Sequence, residues 1–179
     1  MPAACTPNST LPAEADLCID MATVPKDVPI PRLAFRRMTE DDVPAVVAAE
    51  RAGYAFPWSE GIFRDCLRAG YRCRIAELNQ LFAGYGVLSL GAGEAHVLNL
   101  CVRPEYRCRG LGRRMLQHLI DISRDSGARD LFLEVRPSNL SAVRLYQAMG
   151  LSQVGIRRGY YQAENGREDA VVMRLALHR

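Results

Sequence analysis

The segment Val102-Arg103-Pro104-Glu105-Tyr106-Arg107-Cys108-Arg109-Gly110-Leu111-Gly112 constrains the fold of this chain more than any other. It joins two stretches of different period. Ala95 to Val102 reads as a strand that Pro104 ends. Leu111 to Ser126 then carries Leu111, Met115, Leu116, Leu119 and Ile120 on one helical stripe, and Gly127 stops it. The connection has the form Arg-x-x-Gly-x-Gly. Glycines there let the backbone turn tightly and leave bare N–H groups at the helix N-terminus. With the positive end of the helix dipole behind them, such donors suit a pyrophosphate. Arg107, Arg109, Arg113 and Arg114 add positive charge around the same opening. Neither a dinucleotide fingerprint nor a P-loop is present. A plain glycine turn with solvated arginines is the competing reading, and the loop alone does not separate the two.

The rest of the chain supplies a setting for that turn. At 179 residues, 49% hydrophobic and 24% charged, it fits a single soluble domain with a proper core. Residues 1–31 lack sustained periodicity and carry Pro25, Pro29 and Pro31, so they are expected to form a flexible extension ahead of a domain spanning 32–179. Strands are expected at Leu33 to Arg37, Arg72 to Leu78, Leu81 to Leu90, Ala95 to Val102 and Leu131 to Val135. Two more, Ser152 to Arg157 and Asp169 to Leu175, flank a Tyr-rich loop. Helices are expected after Thr39, after Ser59, at Leu111 to Ser126, and from a Ser138 or Asn139 cap to Met149. Strands and helices interleave while several strands are hairpin neighbours, which makes an α+β domain with a mixed sheet and no internal repeat.

Several functions are disfavoured at this stage. A net charge of +3 suits an anionic cofactor but is too small to argue for direct nucleic-acid binding. No apolar run is long enough to span a membrane, and the first residues do not read as a signal peptide. Cys5, Cys18, Cys66, Cys73, Cys101 and Cys108 form no C-x-x-C pair, and His96 and His118 lack zinc-ligand spacing, so no metal is expected. Free thiols in a reducing cytoplasm are the simpler reading, with a disulfide between strand cysteines as the alternative.

Two residues outside the glycine loop could do proton chemistry. Glu134 lies inside the apolar strand Phe132-Leu133-Glu134-Val135, where a carboxylate is costly unless partnered or neutral; the alternative is a solvated strand face. Tyr146 follows on the next helix and could donate a proton, or could be core beside Leu140, Val143 and Met149. Tyr54, Phe56, Trp58, Tyr160 and Tyr161 could wall a groove, although Phe56 and Trp58 could equally be core.

These segments together resemble the GNAT acetyltransferases, and within them the RimI family. The Arg107–Gly112 turn is similar to the superfamily's pyrophosphate loop. Tyr54-Ala55-Phe56-Pro57-Trp58-Ser59-Glu60 resembles the family's early substrate-side loop. Leu133-Glu134-Val135-Arg136-Pro137-Ser138-Asn139 and Leu145-Tyr146-Gln147-Ala148-Met149-Gly150 resemble its catalytic strand and following helix. Arg157-Arg158-Gly159-Tyr160-Tyr161 and Gly166-Arg167-Glu168-Asp169-Ala170 are similar to its closing segments.

The resemblance implies a GNAT fold, a mixed sheet of about six to seven strands with about four helices. It implies acetyl-CoA as co-substrate and, for RimI enzymes, acetylation of the N-terminal alanine of the eighteenth small-subunit ribosomal protein. By the same resemblance Glu134 is the general base and Tyr146 the general acid. Leu100, Cys101, Val102, Arg107, Cys108, Arg109, Gly110, Leu111, Gly112, Arg113 and Asn139 meet the cofactor, Asn139 also serving as a helix cap. Tyr54, Phe56, Trp58, Tyr160 and Tyr161 meet the acceptor. A terminal amine, with a pKa of about 7.7–8.0 against about 10.4 for lysine, asks little of a base. The expected enzyme is a cytoplasmic monomer that transfers acetyl directly, without an acetylated Cys101 or Cys108. A GNAT enzyme for another amine and a non-catalytic CoA-binding module are the alternatives, since fold alone does not set substrate.

Overall fold

The computed structural model describes residues 32–177; the expected extension, residues 1–31, and His178 lie outside them. Seven strands form one sheet: β1 (Leu33–Arg37), β2 (Arg72–Leu78), β3 (Leu81–Gly91), β4 (Glu94–Val102), β5 (Asp130–Val135), β6 (Ser152–Ala163) and β7 (Gly166–Ala176). Four α-helices accompany them: α1 (Val43–Gly53), α2 (Glu60–Arg68), α3 (Leu111–Asp125) and α4 (Leu140–Ala148). The strand order is β1-β2-β3-β4-β5-β7-β6. Every neighbouring pair is antiparallel except β4 and β5, which run parallel and are joined through α3.

Alternation along the central strands divides the core between the two faces of the sheet. Ile75, Tyr85, Val87 and Cys101 pack with Val43, Val46 and Val47 of α1 and Phe63 of α2. Ala76, Leu88 and Val97 pack instead with Met115, Leu116, Leu119 and Ile120, the stripe of α3 that the sequence marks out. Local chemistry sets the boundaries. Asn79 and Gln80, both at positive φ (53° and 67°), make the tight turn between β2 and β3. Thr39 and Asp42 form a capping box around a short 3-10 turn that leads into α1, and Asp42 also receives both guanidinium arms of Arg36 at 2.7 Å. Asn139 caps α4 by accepting the N–H of Ala142 at 3.2 Å.

The segment read as a Tyr-rich loop is not a loop. β6 and β7 run on as a long hairpin to Ala163 and Gly166, and the alternation is hidden by a break in register. Arg157 faces Ala170 and Tyr161 faces Glu168, so three residues of β6 oppose Asp169 alone. Asp169 holds that bulge, accepting from the Gly159 N–H at 2.8 Å and from Arg158 at 2.7 Å.

Among the described residues no helix is long and apolar enough to cross a membrane, and no group of three or more His, Cys, Asp or Glu side chains could hold a metal. Cys66, Cys73, Cys101 and Cys108 are free thiols, so no disulfide joins the strand cysteines.

Candidate active site

The site begins where the sheet comes apart. The parallel pairing of β4 with β5 runs from Glu94–Asp130 to Val97–Leu133 and then ends. On its other edge β4 shifts register against β3 at the same level: Val97 faces Leu88 and Asn99 faces Val87, leaving Leu98 as an extra residue. Such a bulge bends its strand. Beyond it Asn99–Val102 stays with β3 while Glu134 and Val135 stay with β7, and a cleft opens between them.

Two hollows, of about 440 and 610 Å³, occupy this opening, each of a size that takes a small ligand. They share Gly53, Tyr54, Leu100, Asn139 and Tyr146. The larger is lined by Leu100, Cys101 and Val102 of β4, by Arg107, Cys108, Gly110, Leu111, Gly112 and Arg113, and by the face of α4. Positive φ at Cys108 (57°) and Gly110 (73°) is the backbone form of an anion nest, and Gly110 is the N-cap of α3 without a side-chain cap. The first N–H groups of α3 have no partner within the helix. A pyrophosphate therefore fits this end on the chemistry of its donors, with Arg107 and Arg113 beside it. Arg109 departs from expectation: its guanidinium sits 5.9 Å over the Tyr106 ring, and it does not line the hollow.

The parted edge of β4 is not bare. The Leu100 carbonyl accepts the Tyr54 hydroxyl at 2.7 Å, and the Val102 carbonyl accepts Arg107 Nε at 3.1 Å. Cys101 turns its thiol away toward the Ala49 carbonyl, at 4.0 Å. Burial, with nearby Glu50, pushes that thiol up to about 11, which leaves it protonated and a poor nucleophile at neutral pH.

The smaller hollow is lined by Tyr54, Phe56 and Trp58, by Leu98–Leu100, by Glu134, and by Tyr161. The Glu134 side chain is only 13% exposed and is partnered, as its apolar strand requires, by Arg157 at 3.1 Å. Tyr146 is 9% exposed, and burial pushes its hydroxyl up to about 12. Tyr54 and Tyr161 are also raised, chiefly by burial. Arg136 lies 4.3 Å over the Tyr161 ring and pairs with Glu168 at 3.0 Å, tying the end of β5 to β7. Trp58 serves both proposed parts, facing the hollow and packing on Phe63 at 5.5 Å. Tyr160 does not line the hollow; it is 44% exposed and meets Tyr161 edge-on at 4.9 Å.

Sequence reasoning missed Glu50 and Asn99, which both line the smaller hollow. His96, beside Glu94 and stacked on Phe132, and His118, stacked on Phe35 at 4.5 Å, stand outside it.

A mixed sheet parted at its single parallel pair, with a helix start suited to an anion on one side, a carboxylate on the other and a buried tyrosine between them, suits acyl transfer. The acetyltransferase (GNAT) family model matches residues 35–151, and the chain belongs to that family. It is 39% identical over 136 residues to the [ribosomal protein bS18]-alanine N-acetyltransferase of Escherichia coli K12, covering 76% of this chain and 92% of that one. The crystal structure of the ribosomal-protein-S18-alanine N-acetyltransferase from Escherichia coli superposes with a TM-score of 0.78 at 36% identity, over 83% of this chain and 96% of that one. YncA from Salmonella typhimurium, solved with its cofactor acetyl-CoA, shares the fold at a TM-score of 0.68 and 19% identity, over 82% and 95% of the two chains.

Proposed function

We propose that this protein acetylates the N-terminal alanine of ribosomal protein bS18, taking the acetyl group from acetyl-CoA by direct transfer. The observation that carries the reading is the meeting of the two hollows at Tyr54, Leu100 and Tyr146, with Glu134 on the acceptor side only. The likeness to the Escherichia coli enzyme supports the acceptor. The reaction belongs to residues 32–179, acting as a monomer in the cytoplasm.

Acetyl-CoA supplies an acetyl thioester when bound. The nest at Cys108–Gly110, the start of α3, Arg107 and Arg113 hold its pyrophosphate, and Asn139 and Leu145 border its arm. Main-chain groups of Leu100–Val102 orient the arm; the Leu100 and Val102 carbonyls accept from Tyr54 and Arg107 and each keeps a second lone pair. Glu134 takes the proton from the α-ammonium at its carboxylate, directly or through water, and Arg157 keeps it oriented. Tyr146 holds a proton at its hydroxyl for the departing sulfur, a role its raised pKa preserves across the working range. Phe56, Trp58 and Tyr161 close the acceptor side against water.

The test is acetyl-CoA with a short Ala-initiated peptide copying the bS18 N-terminus, read by mass spectrometry. A control peptide has a blocked N-terminus and one free lysine. Acetylation confined to the free α-amine supports the reading. Labelling of the lysine, or of neither peptide, refutes the acceptor while leaving the donor hollow to be tested by acetyl-CoA binding.

A further inference from the structure

Glu50 carries a buried carboxyl group that the chemistry above does not use. It lies near the end of α1 and is 2% exposed. A carboxylate so far from water persists only where donors surround it. Glu50 has three, none of them a cation. Its Oε1 accepts the Trp58 backbone N–H at 2.9 Å and Asn99 Nδ2 at 3.2 Å, and its Oε2 accepts the Tyr85 hydroxyl.

The three donors belong to three different parts of the site. Trp58 lies in the connection between α1 and α2, which has no strand ladder to hold it and carries Phe56 and Trp58 into the acceptor hollow. Asn99 is the residue after the Leu98 bulge, on the strand side of the same hollow. Tyr85 on β3 stands edge-on to Phe63, which in turn packs on the Trp58 ring. A single oxygen, Oε1, therefore joins the aromatic connection to the parted end of β4. Glu50 itself lines the acceptor hollow and does not line the donor hollow.

We propose that Glu50 is a positioning residue for the acceptor: its carboxylate fixes the Phe56–Trp58 connection against Asn99 and so sets the width of the hollow that admits the acceptor's N-terminus. The assignment rests on the acceptor reading given above. An ionised carboxylate suits the place because it accepts from all three donors at once. A glutamine of the same shape must turn its NH2 toward either the Tyr85 hydroxyl or the Trp58–Asn99 pair. Glu50→Gln thus either turns its NH2 on the Trp58 and Asn99 donors or makes the Tyr85 hydroxyl accept and lose the carboxylate that took its proton, while Glu50→Ala removes all three bonds and leaves their partners unpaired.

The experiment is steady-state kinetics of wild type, E50Q and E50A with the Ala-initiated peptide and acetyl-CoA, each varied at saturating levels of the other. The expected result is a peptide KM raised about tenfold in E50Q and about a hundredfold in E50A, the loss of one or more charge-assisted bonds. The acetyl-CoA KM stays within about twofold, because the donor hollow does not touch Glu50. A residue that only stabilised the fold would lower the active fraction, read as reduced kcat with both KM values unchanged. That pattern, an unchanged peptide KM in E50Q, or both KM values rising together overturns the assignment. If E50A does not fold, the isosteric E50Q decides. A wild-type protein that leaves the peptide unmodified removes the acceptor reading, and this assignment with it, before any variant is compared.

Discussion

Raising the pH of the assay tests the role given to Tyr146. A general acid must carry its proton, so activity is present below its folded pKa and is lost as pH rises through it. Burial holds Tyr146 at about 12. An unperturbed tyrosine, near 10, is about half ionised at pH 10, whereas a group at 12 is about 1% ionised there. The kcat/KM profile is therefore expected to show no loss from ionisation of Tyr146 between about pH 8.5 and 10. Thiol release from acetyl-CoA, corrected with an enzyme-free blank for thioester hydrolysis, measures it. Circular dichroism at each pH confirms that the fold persists. The companion variant Tyr146→Phe keeps the ring among its neighbours and removes the proton, so kcat should fall about 10²–10⁴-fold, roughly 3–5 kcal/mol of barrier. An alkaline limb centred below about pH 10 in the folded protein, or a Tyr146→Phe enzyme keeping half its rate, would refute the reasoning.

Glu134→Gln should lower kcat about 10²–10⁴-fold while leaving equilibrium binding of acetyl-CoA unchanged, since Glu134 borders only the acceptor hollow. Gly84→Ala should destabilise the domain by about 2–4 kcal/mol and weaken acetyl-CoA binding, seen as a lower Tm with a smaller shift on adding the ligand. Its Cβ would stand 2.4 Å from the Cys101 carbonyl oxygen and 3.1 Å from Val102 Cα, backbone atoms of two residues that line the donor hollow. Asp42→Asn removes the capping-box carboxylate and should cost about 1 kcal/mol at neutral pH by denaturant titration. The Arg36 guanidinium holds the folded Asp42 at about 2, below its ordinary 3.8, so this stability is present above about pH 4 and fades as pH falls toward 2. The gap between the two proteins should close over that window.

Most of the fold was legible because each element announces its own period. The α3 stripe returns residue for residue as buried core, and the limits of β2 match those read from Arg72 and Leu78. Both strands of the β6–β7 hairpin are legible, but its outer part reads as a loop because the register break interrupts the alternation, and a bulge held by Asp169 leaves no periodic trace. Glu134 and Tyr146, which the family's motifs single out, line one hollow. Glu50 was not legible. In Ala48-Ala49-Glu50-Arg51 it reads as half of a solvated charged pair on a helix. Only the docking of α1 on the sheet, which brings Tyr85 and Asn99 to it, makes it a buried acceptor. Arg109 and Tyr160, which the motifs also single out, stand outside the two hollows, one over Tyr106 and the other 44% exposed.

Leu98 carries a consequence for how such a protein can be improved. It is the surplus residue in β4, and the parting of the sheet begins beside it. Val97 and Asn99 already face the consecutive residues Leu88 and Val87, so a chain without Leu98 would run unbulged along β3 and lose the bend beside which the cleft opens. Selection for heat resistance alone is therefore expected to favour closing this gap, and selection for turnover to keep it open. In this domain the workplace of the enzyme is a fault in its own masonry.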